Sequence, residues 1–175
     1  PLVQKAVERQ IPLTNDAQLY MERCPAPVVG ITGSAGKTTT TTLVGQIVAA
    51  AGYKTWVGGN IGDVLLESLS EIRPDDCVVM ELSSFQLELM TTSPQVAAVL
   101  NITPNHLDRH GSMPRYHQAK HRIFGGCRTV VYHADDPLTI PPLAAGSRHA
   151  SWRLREPELD GFGLRDDNGE TWLAE

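Results

Sequence analysis

At 175 residues the chain is long enough for one domain with a sizeable core. Its hydrophobic content of 41% and charged content of 20% are those of an ordinary globular protein, which excludes a disordered chain. The net charge of −5, without a Lys/Arg cluster, argues against a nucleic-acid partner, and the lack of a run of about 18 apolar residues argues against a membrane segment.

The chain has three cysteines, Cys24, Cys77 and Cys127, an odd number without C-x-x-C spacing. This usage is typical of free thiols in a reducing compartment and predicts a cytoplasmic protein. Because the chain begins at Pro1 and not at Met, we expect it to be a piece of a longer protein.

Residues 1–25 are predicted to be a lead-in, the tail of a preceding domain or a linker. Two short helices are expected, over 2–9 and 16–23, the second with Thr14 or Asn15 as its N-cap. Pro25 and Pro27 then interrupt the chain, so we expect the main domain to occupy 26–175.

The stretch VVGITGSAGKTTTTTL, residues 28–43, combines a short apolar strand, a glycine-rich loop and a helix of the phosphate-binding (P-loop) type. Glycines let backbone N–H groups converge on one point, where the helix N-terminus adds partial positive charge. Lys37 would reach the outer phosphates of a nucleotide, and the Thr38 hydroxyl would bind Mg²⁺. The strict G-x-x-x-x-G-K-[ST] pattern is not met, because Ile31 occupies the position of its first glycine.

Four more apolar strands are predicted downstream, over 54–57, 77–82, 96–102 and 129–132, with a possible further strand over 147–152. Helices are expected between them, over about 63–70 and 114–124. This alternation predicts an α/β fold with a mostly parallel sheet covered by helices on both faces. Asn168-Gly169 between alternating segments predicts a β-hairpin extension at the C-terminal end of the chain.

Ligands of such sheets bind beyond the carboxyl ends of the strands, and here those ends are polar. Glu81 ends an apolar strand, where nucleotide-hydrolysing folds place the acid that holds Mg²⁺. Ser83, Ser84 and Gln86 follow, and they would either hydrogen-bond a substrate or cap the next helix.

Two histidine pairs with i, i+4 spacing, His106/His110 and His117/His121, lack the glutamate and cysteines of common zinc sites. A single His106 in a strand-end loop, contacting Mg²⁺ or substrate, is the favoured interpretation. The other histidines are assigned to the surface or the core.

Lys120 shares a helical stripe with Tyr116, Ile123 and Phe124, which are expected to be buried. Burial lowers the pKa of a lysine, and an uncharged amine can react with CO₂ to form a carbamate that holds a cation. The alternative is a lysine whose stem alone is buried while its ammonium group stays in water. Periodicity by itself favours this alternative.

Several motifs together resemble the Mur ligase family of bacterial cell-wall synthesis, and the resemblance covers roughly the whole chain. TGSAGKTT resembles the ATP loop of that family, and GGNIG, ELSSFQLE, NITPNHLDRH, the helix containing AK, and HADDP follow in order. ELSSFQLE resembles the branch that adds D-glutamate to UDP-N-acetylmuramoyl-L-alanine. One departure concerns Asn105, which stands where the family usually has Asp.

The resemblance implies a role for each matched residue. Carried over position by position, ATP is held by the loop residues Gly33, Ser34, Ala35, Gly36, Lys37, Thr38 and Thr39. One Mg²⁺ is bound by Thr38 and Glu81, and a second is served by His106 and a carbamylated Lys120. The muramoyl substrate is faced by Asn60, Ser83, Gln86 and His106. Lys37, His106 and Lys120 are thus implied to be catalytic.

The implied reaction is ATP-dependent amide formation through an acyl phosphate, with UDP-N-acetylmuramoyl-L-alanine and D-glutamate as substrates. The family has three domains, so this chain is expected to be the central ATP-binding domain, monomeric, without the C-terminal glutamate-binding domain and inactive alone. The alternatives are a related Mur or folylpolyglutamate-type ligase, a nucleotide-binding module without ligase activity, and a small-molecule kinase.

Overall fold

A computed structural model of the protein describes residues 2–62, 65–142, 146–158 and 161–175. Its framework is an eight-stranded sheet in the order β2-β3-β1-β4-β5-β6-β7-β8. The strands are β1 (Val28–Thr32), β2 (Thr55–Gly59), β3 (Cys77–Glu81), β4 (Val96–Val99), β5 (Thr129–His133), β6 (Arg148–Trp152), β7 (Gly161–Asp167) and β8 (Glu170–Ala174).

All neighbouring strands from β2 to β7 are parallel, and the β7–β8 pair is antiparallel. The mostly parallel sheet and the C-terminal hairpin are therefore confirmed. Because β1 lies between β3 and β4, the loops that follow these three strands meet at one edge of the sheet.

The helices are α1 (Leu2–Glu8), α2 (Asp16–Arg23), α3 (Lys37–Ala50), α4 (Ser84–Leu89), α5 (Leu107–His110) and α6 (Met113–His121). Asn15 caps α2, since its side chain accepts a hydrogen bond from the Gln18 amide. Gly36 precedes α3 with φ 79°, a left-handed conformation that favours glycine.

Helices cover both faces of the sheet, as predicted. The larger core cluster lies on the face of α2, α4 and α6, where Tyr20, Leu87, Tyr116 and Ile123 pack on the sheet. On the other face, Ile31, Val79 and Ala98 form a smaller buried cluster, against which Val44 of α3 packs. The boundary predicted at residue 25 stays a prediction; α2, which precedes it, packs on α4.

Some predicted bounds were wrong. The helix expected over 63–70 is a 3₁₀ helix over Leu65–Ser68, and residues 63–64 lie outside the described part of the chain. The helix expected over 114–124 ends at His121 and continues as a 3₁₀ helix over Arg122–Phe124, in front of Gly125 and Gly126. Strand β4 ends at Val99, because the backbone beyond it turns to meet the glycine-rich loop.

Candidate functional site

The glycine-rich loop lies between the end of β1 and the first turn of α3. Backbone N–H groups at the start of a helix have no acceptor within the helix. In α3 the first intrahelical hydrogen bond runs from Thr40 N to Gly36 O. The N–H groups of residues 36–39 therefore form the part of the loop that can bind an anion, where the α3 dipole adds positive charge. Lys37 is the first residue of α3 and lines the cavity in front of the loop.

The other side of this loop is attached to the segment that follows β4. The Asn101 side chain accepts a hydrogen bond from Ala35 N (2.9 Å) and donates one to Ala35 O (3.0 Å). Ser34 N donates to Asn101 O (2.9 Å), and the Ser34 hydroxyl bonds to both backbone groups of Thr103. These hydrogen bonds fix the shape of this side of the loop.

Glu81 is buried at the end of β3, with 2% of its surface exposed, and both of its carboxylate oxygens accept hydrogen bonds. Oε2 accepts from the Thr38 hydroxyl at 2.8 Å, and Oε1 accepts from Asn60 Nδ2 at 3.0 Å. Asn60 reaches this position because Gly59 has φ 104° and lies so close to β3 that a Cβ would overlap the Glu81 carbonyl.

These oxygens fit a magnesium ion bound together with phosphates. Mg²⁺ prefers oxygen ligands, and it is usually held by one or two carboxylates together with phosphates and water molecules. Glu81 and Thr38 supply a carboxylate and a hydroxyl beside the phosphate loop. Within the described residues no three side chains of His, Cys, Asp or Glu form a metal-binding group, so the donor set suits a phosphate-dependent ion better than a structural one.

Lys120 is almost completely buried, with 2% exposed, and it lies beneath the phosphate loop. Its Nζ donates to Gly33 O at 2.8 Å and to Thr32 Oγ1 at 3.3 Å, and it stands 4.8 Å from the centre of the Tyr116 ring. Burial, aided by the positive charge of Lys37, lowers the pKa of the amine from 10.5 to about 7, against the opposing effect of Glu81. The burial of the Lys120 stripe is confirmed.

Ser83 and Gln86 form the N-terminal cap of α4. The Ser83 hydroxyl accepts from Gln86 N (3.2 Å), and Gln86 Oε1 accepts from Ser83 N (3.0 Å), which makes a reciprocal capping box. Ser83 also lines the cavity. Of the two interpretations left open by the sequence, the capping role is therefore present, and a substrate contact remains a prediction.

His106 lies in the loop after β4 and precedes α5 with φ 52°, a left-handed conformation that is uncommon for histidine. The Asn105 carboxamide accepts a hydrogen bond from His106 N at 2.9 Å. The Phe85 ring meets the His106 ring edge-on, with ring centres 5.2 Å apart, and stacks on the His110 ring, with ring centres 5.1 Å apart. His110, which the sequence assigns to the surface or the core, is buried, and its Nε2 lies 3.0 Å from Ser84 Oγ.

A cavity of about 230 Å³ brings most of these side chains together. Of the predicted site residues, its lining contains Gly33, Ser34, Lys37, Asn60, Ser83, His106 and Lys120. Glu81 joins the cavity through its hydrogen bond from Asn60, and Thr38 joins it through its own bond to Glu81. The Gln86 side chain turns instead to the α4 cap. The lining also includes Ser84, which was expected either to hydrogen-bond a substrate or to cap the next helix. Phe85, Asn105 and Tyr116 line it too, and these were not predicted as site residues although they flank or share a helical stripe with predicted ones.

Along the described ranges, the structure has no helix that is both long and apolar enough to cross a lipid bilayer.

Sequence comparison matches residues 31–151 to the Mur ligase middle domain. The chain is 46% identical over 175 residues to UDP-N-acetylmuramoylalanine–D-glutamate ligase of Pseudomonas syringae pv. syringae (strain B728a), covering 99% of this chain and 39% of that protein. It is 49% identical over 166 residues to the ligase of the same name from Psychrobacter cryohalolentis, covering 94% of this chain and 35% of that protein. The chain therefore spans less than half the length of these relatives.

Several solved structures share the fold, and two of them illustrate the similarity. MurF ligase from Thermotoga maritima in complex with ADP superposes with a TM-score of 0.65 at 23% identity, covering 89% of this chain and 40% of that one. Escherichia coli FolC in complex with DHPP and ADP gives a TM-score of 0.59 at 16% identity, covering 91% and 49%.

Proposed function

The chain belongs to the Mur ligase family, and we propose that it is the ATP-binding part of a ligase that adds D-glutamate to UDP-N-acetylmuramoyl-L-alanine. One observation carries the proposal: Lys37, Asn60, His106 and Lys120 line one cavity at the mouth of a phosphate loop, with Glu81 at its edge. The relatives bearing that name match the chain over almost its whole length. The remaining length of the whole protein would supply an N-terminal domain and a C-terminal glutamate-binding domain.

The proposed reaction has two steps. The carboxylate of the L-alanyl group attacks the γ-phosphorus of ATP, forming a C–O–P bond and releasing ADP. The amine of D-glutamate then attacks the acyl carbon, the C–O bond to phosphate breaks, and inorganic phosphate leaves with its electron pair while the amine loses a proton. The products are the amide, ADP and phosphate.

The phosphate loop stabilises the negative charge of the first step. The N–H groups of residues 36–39 and the Lys37 ammonium would bind the phosphates, and Thr38 and Glu81 would hold one Mg²⁺. Mg²⁺ neutralises phosphate charge when it is bound and so allows a carboxylate to approach the triphosphate. His106 and Lys120 would serve a second Mg²⁺ from the other side of the cavity.

Lys120 is suited to carbamylation because it is buried and its pKa is about 7. The uncharged amine attacks CO₂, an N–C bond forms, and the nitrogen loses a proton, which leaves a carboxylate-like anion. Its oxygens would be ligands for the cation, while the remaining N–H of Nζ would keep a donor for Gly33 O.

Asn60, Ser83, Gln86 and His106 would face the muramoyl substrate. Asn60, Ser83 and His106 line the cavity, and Gln86 adjoins it through its bonds to Ser83. We place the reaction in the cytoplasm and in peptidoglycan synthesis, hence in cell-wall biogenesis, cell shape and cell division, and we expect a monomer without nucleic-acid or membrane partners.

The test is phosphate release by the whole protein that contains this chain. With Mg-ATP and UDP-N-acetylmuramoyl-L-alanine, release should require D-glutamate and should produce the amide. A folate acceptor or a longer muramoyl peptide should give no release, and D-glutamate-dependent release with either of them would assign the chain to another ligase of this fold.

A matched pair of glutamate variants adds a control. Glu81→Gln removes the buried charge at the phosphate loop and should lower kcat by about 100-fold or more, since one metal-binding or charge-stabilising group is typically worth that much. Glu170→Gln, at the exposed start of β8, should leave kcat unchanged. Equal activity of the two variants would contradict the role of Glu81.

A further inference from the structure

We infer that Asn101 is a positioning residue for the nucleotide, which it holds indirectly by fixing the peptide groups of Ser34 and Ala35. The inference rests on the proposed ATP site and adds to it a residue that contacts the phosphate loop and not the cavity. Asn101 lies two residues beyond the end of β4, the strand next to β1 in the sheet.

The Asn101 carboxamide pairs with Ala35 in the same way as a neighbouring strand would. Its Oδ1 accepts from Ala35 N at 2.9 Å, and its Nδ2 donates to Ala35 O at 3.0 Å. The Asn101 carbonyl also accepts from Ser34 N at 2.9 Å. A side chain that bonds both the N–H and the C=O of one residue fixes the orientation of the two peptide groups that flank this residue, which a single hydrogen bond does not.

This arrangement decides which amides can bind phosphate. The N–H groups of Ser34 and Ala35 are already bonded to Asn101, so they point away from a ligand at the start of α3. The N–H groups of residues 36–39 precede the first intrahelical bond and are the ones directed to it. Asn101 therefore separates the structural half of the loop from its binding half.

The same attachment joins the phosphate loop to the segment that carries His106. Thr103 N donates to Ser34 Oγ at 2.9 Å, and Ser34 Oγ donates to Thr103 O at 3.0 Å, two residues beyond Asn101. The two sides of the cavity are thus connected through residues 101–103.

The first experiment measures binding of Mg-ADP to the whole protein by calorimetry. Asn101→Ala loses two side-chain hydrogen bonds, and we expect Kd for Mg-ADP and KM for ATP to rise about tenfold or more, while kcat at saturating ATP changes less than about threefold. Asn168→Gly, in the exposed turn of the β7–β8 hairpin, is the control and should bind Mg-ADP like the unaltered protein, since glycine accepts the φ of 52° found there.

The second experiment follows amide hydrogen exchange of the loop without nucleotide. In Asn101→Ala the Ala35 amide should exchange about tenfold faster or more, because its acceptor is gone. Asn101→Asp keeps an oxygen acceptor for Ala35 N but not the donor to Ala35 O, so the Ala35 amide should stay protected while Mg-ADP binding weakens. The Asn101→Asp variant also tests the role of Asn101 in nucleotide binding if Asn101→Ala does not fold.

The outcomes separate the inference from the proposed function. Unchanged Mg-ADP binding and unchanged Ala35 exchange in both Asn101 variants would overturn the role of Asn101 and leave the ligase assignment intact. Failure of the unaltered protein to bind Mg-ADP would overturn the proposed function, and with it the claim that Asn101 serves a nucleotide. Faster Ala35 exchange together with weaker Mg-ADP binding in Asn101→Ala, but not in Asn168→Gly, would support the inference.

Discussion

Lys120 carries an amine that is almost completely removed from water. The ammonium form loses hydration when it is buried, so the folded protein binds the Lys120 proton less tightly than the unfolded chain does. Gly33 O and Thr32 Oγ1 accept hydrogen bonds from Nζ, and they keep the amine beneath the phosphate loop. A residue proposed to react with CO₂ therefore also affects the stability of the protein.

The pH dependence of this effect can be predicted from its sign. The Lys120 pKa is about 7 in the folded protein and 10.5 in the unfolded chain, so the stability linked to it is fully present above pH 10.5 and is lost as pH falls through about 7. Lys120→Met removes this dependence. Between pH 6 and pH 9 the unaltered protein should gain roughly 2–3 kcal/mol in free energy of unfolding relative to Lys120→Met.

Urea denaturation at the two pH values measures this difference. Lys5→Met, on the exposed helix α1, serves as the control and should follow the unaltered protein at both pH values. A constant difference between Lys120→Met and the unaltered protein from pH 6 to pH 9 would show that the amine is not deprotonated by burial.

At the scale of elements, the N-terminus of α4 is capped by Ser83 and Gln86, two residues that were also predicted to contact the substrate. The capping box uses Oε1 of Gln86, which leaves the Nε2 end of the carboxamide to donate to a ligand. Structural and binding roles are therefore located on different atoms of the same side chain, and one substitution can separate them.

Gln86→Glu should preserve the cap, because Ser-x-x-Glu forms the same box, and should change the free energy of unfolding by less than about 0.5 kcal/mol. The same substitution removes an N–H donor and adds a negative charge, so the KM for UDP-N-acetylmuramoyl-L-alanine should rise about tenfold or more. Ser83→Ala should cost about 1 kcal/mol through loss of the cap. Unchanged KM in Gln86→Glu would restrict Gln86 to its structural role.

Helix α2 is fixed to the rest of the fold through Gln18. Its side chain is buried, with Oε1 accepting from Thr91 N and Thr92 N at 2.8 and 3.2 Å and Nε2 donating to the Thr92 hydroxyl at 2.9 Å. Asn15 adds a bond from Nδ2 to Gln86 O at 2.7 Å. These contacts connect α2 to both ends of α4.

Gln18→Leu should lower the free energy of unfolding by about 2–4 kcal/mol, because it leaves buried amides without an acceptor. Gln46→Leu, at an exposed position of α3, is the matched control and should change it by less than about 0.5 kcal/mol. Chemical denaturation measures both, and equal midpoints for the two variants would contradict this account of Gln18.

At the scale of the molecule, stability should decrease from the centre of the sheet to its C-terminal edge. Strand β1 pairs with a strand on each side and is largely buried. In the described part of the chain, β7 is attached to β6 through the pairs Ser151–Gly161 and Trp152–Phe162, and to the segment after β6 through bonds from Arg153 N to Phe162 O and from Leu164 N to Arg155 O. Leu173 in β8 is 91% exposed. We therefore expect the β7–β8 hairpin to open locally while the rest of the sheet stays folded.

Native-state hydrogen exchange should show this gradient. Amides of β1, β3 and β4 should exchange most slowly, and those of the β7–β8 hairpin should exchange about 100-fold faster or more. Uniform protection from β1 to β8 would mean that the hairpin unfolds only together with the rest of the sheet.

The parts of the fold that depend on local pattern could be predicted from the sequence. Apolar runs located β1 and β3, Asn168-Gly169 located the hairpin, and the helical stripe predicted the burial of Lys120. The predicted helix after β2 was wrong, because a short apolar segment gives too few turns for periodicity to distinguish a 3₁₀ helix from an α-helix.

The parts of the site that depend on contacts between distant residues could not be predicted. The bonds from Asn60 to Glu81 and from Asn101 to Ala35 join residues 21 and 66 positions apart. Nothing in the local sequence around either asparagine indicates its partner, because sheet order decides which loops meet.

The attachment of residues 101–103 to the phosphate loop limits how the length of the chain can change. In the longer segment 101–106, Asn101 is held at one end by the phosphate loop, and His106 lies at the other end, where a left-handed backbone leads into α5. Any added or deleted residue between them would displace the imidazole from the cavity or detach the loop. The turn at Asp167–Glu170 has no such constraint, and it is the place where an engineer can insert a peptide without rebuilding the site.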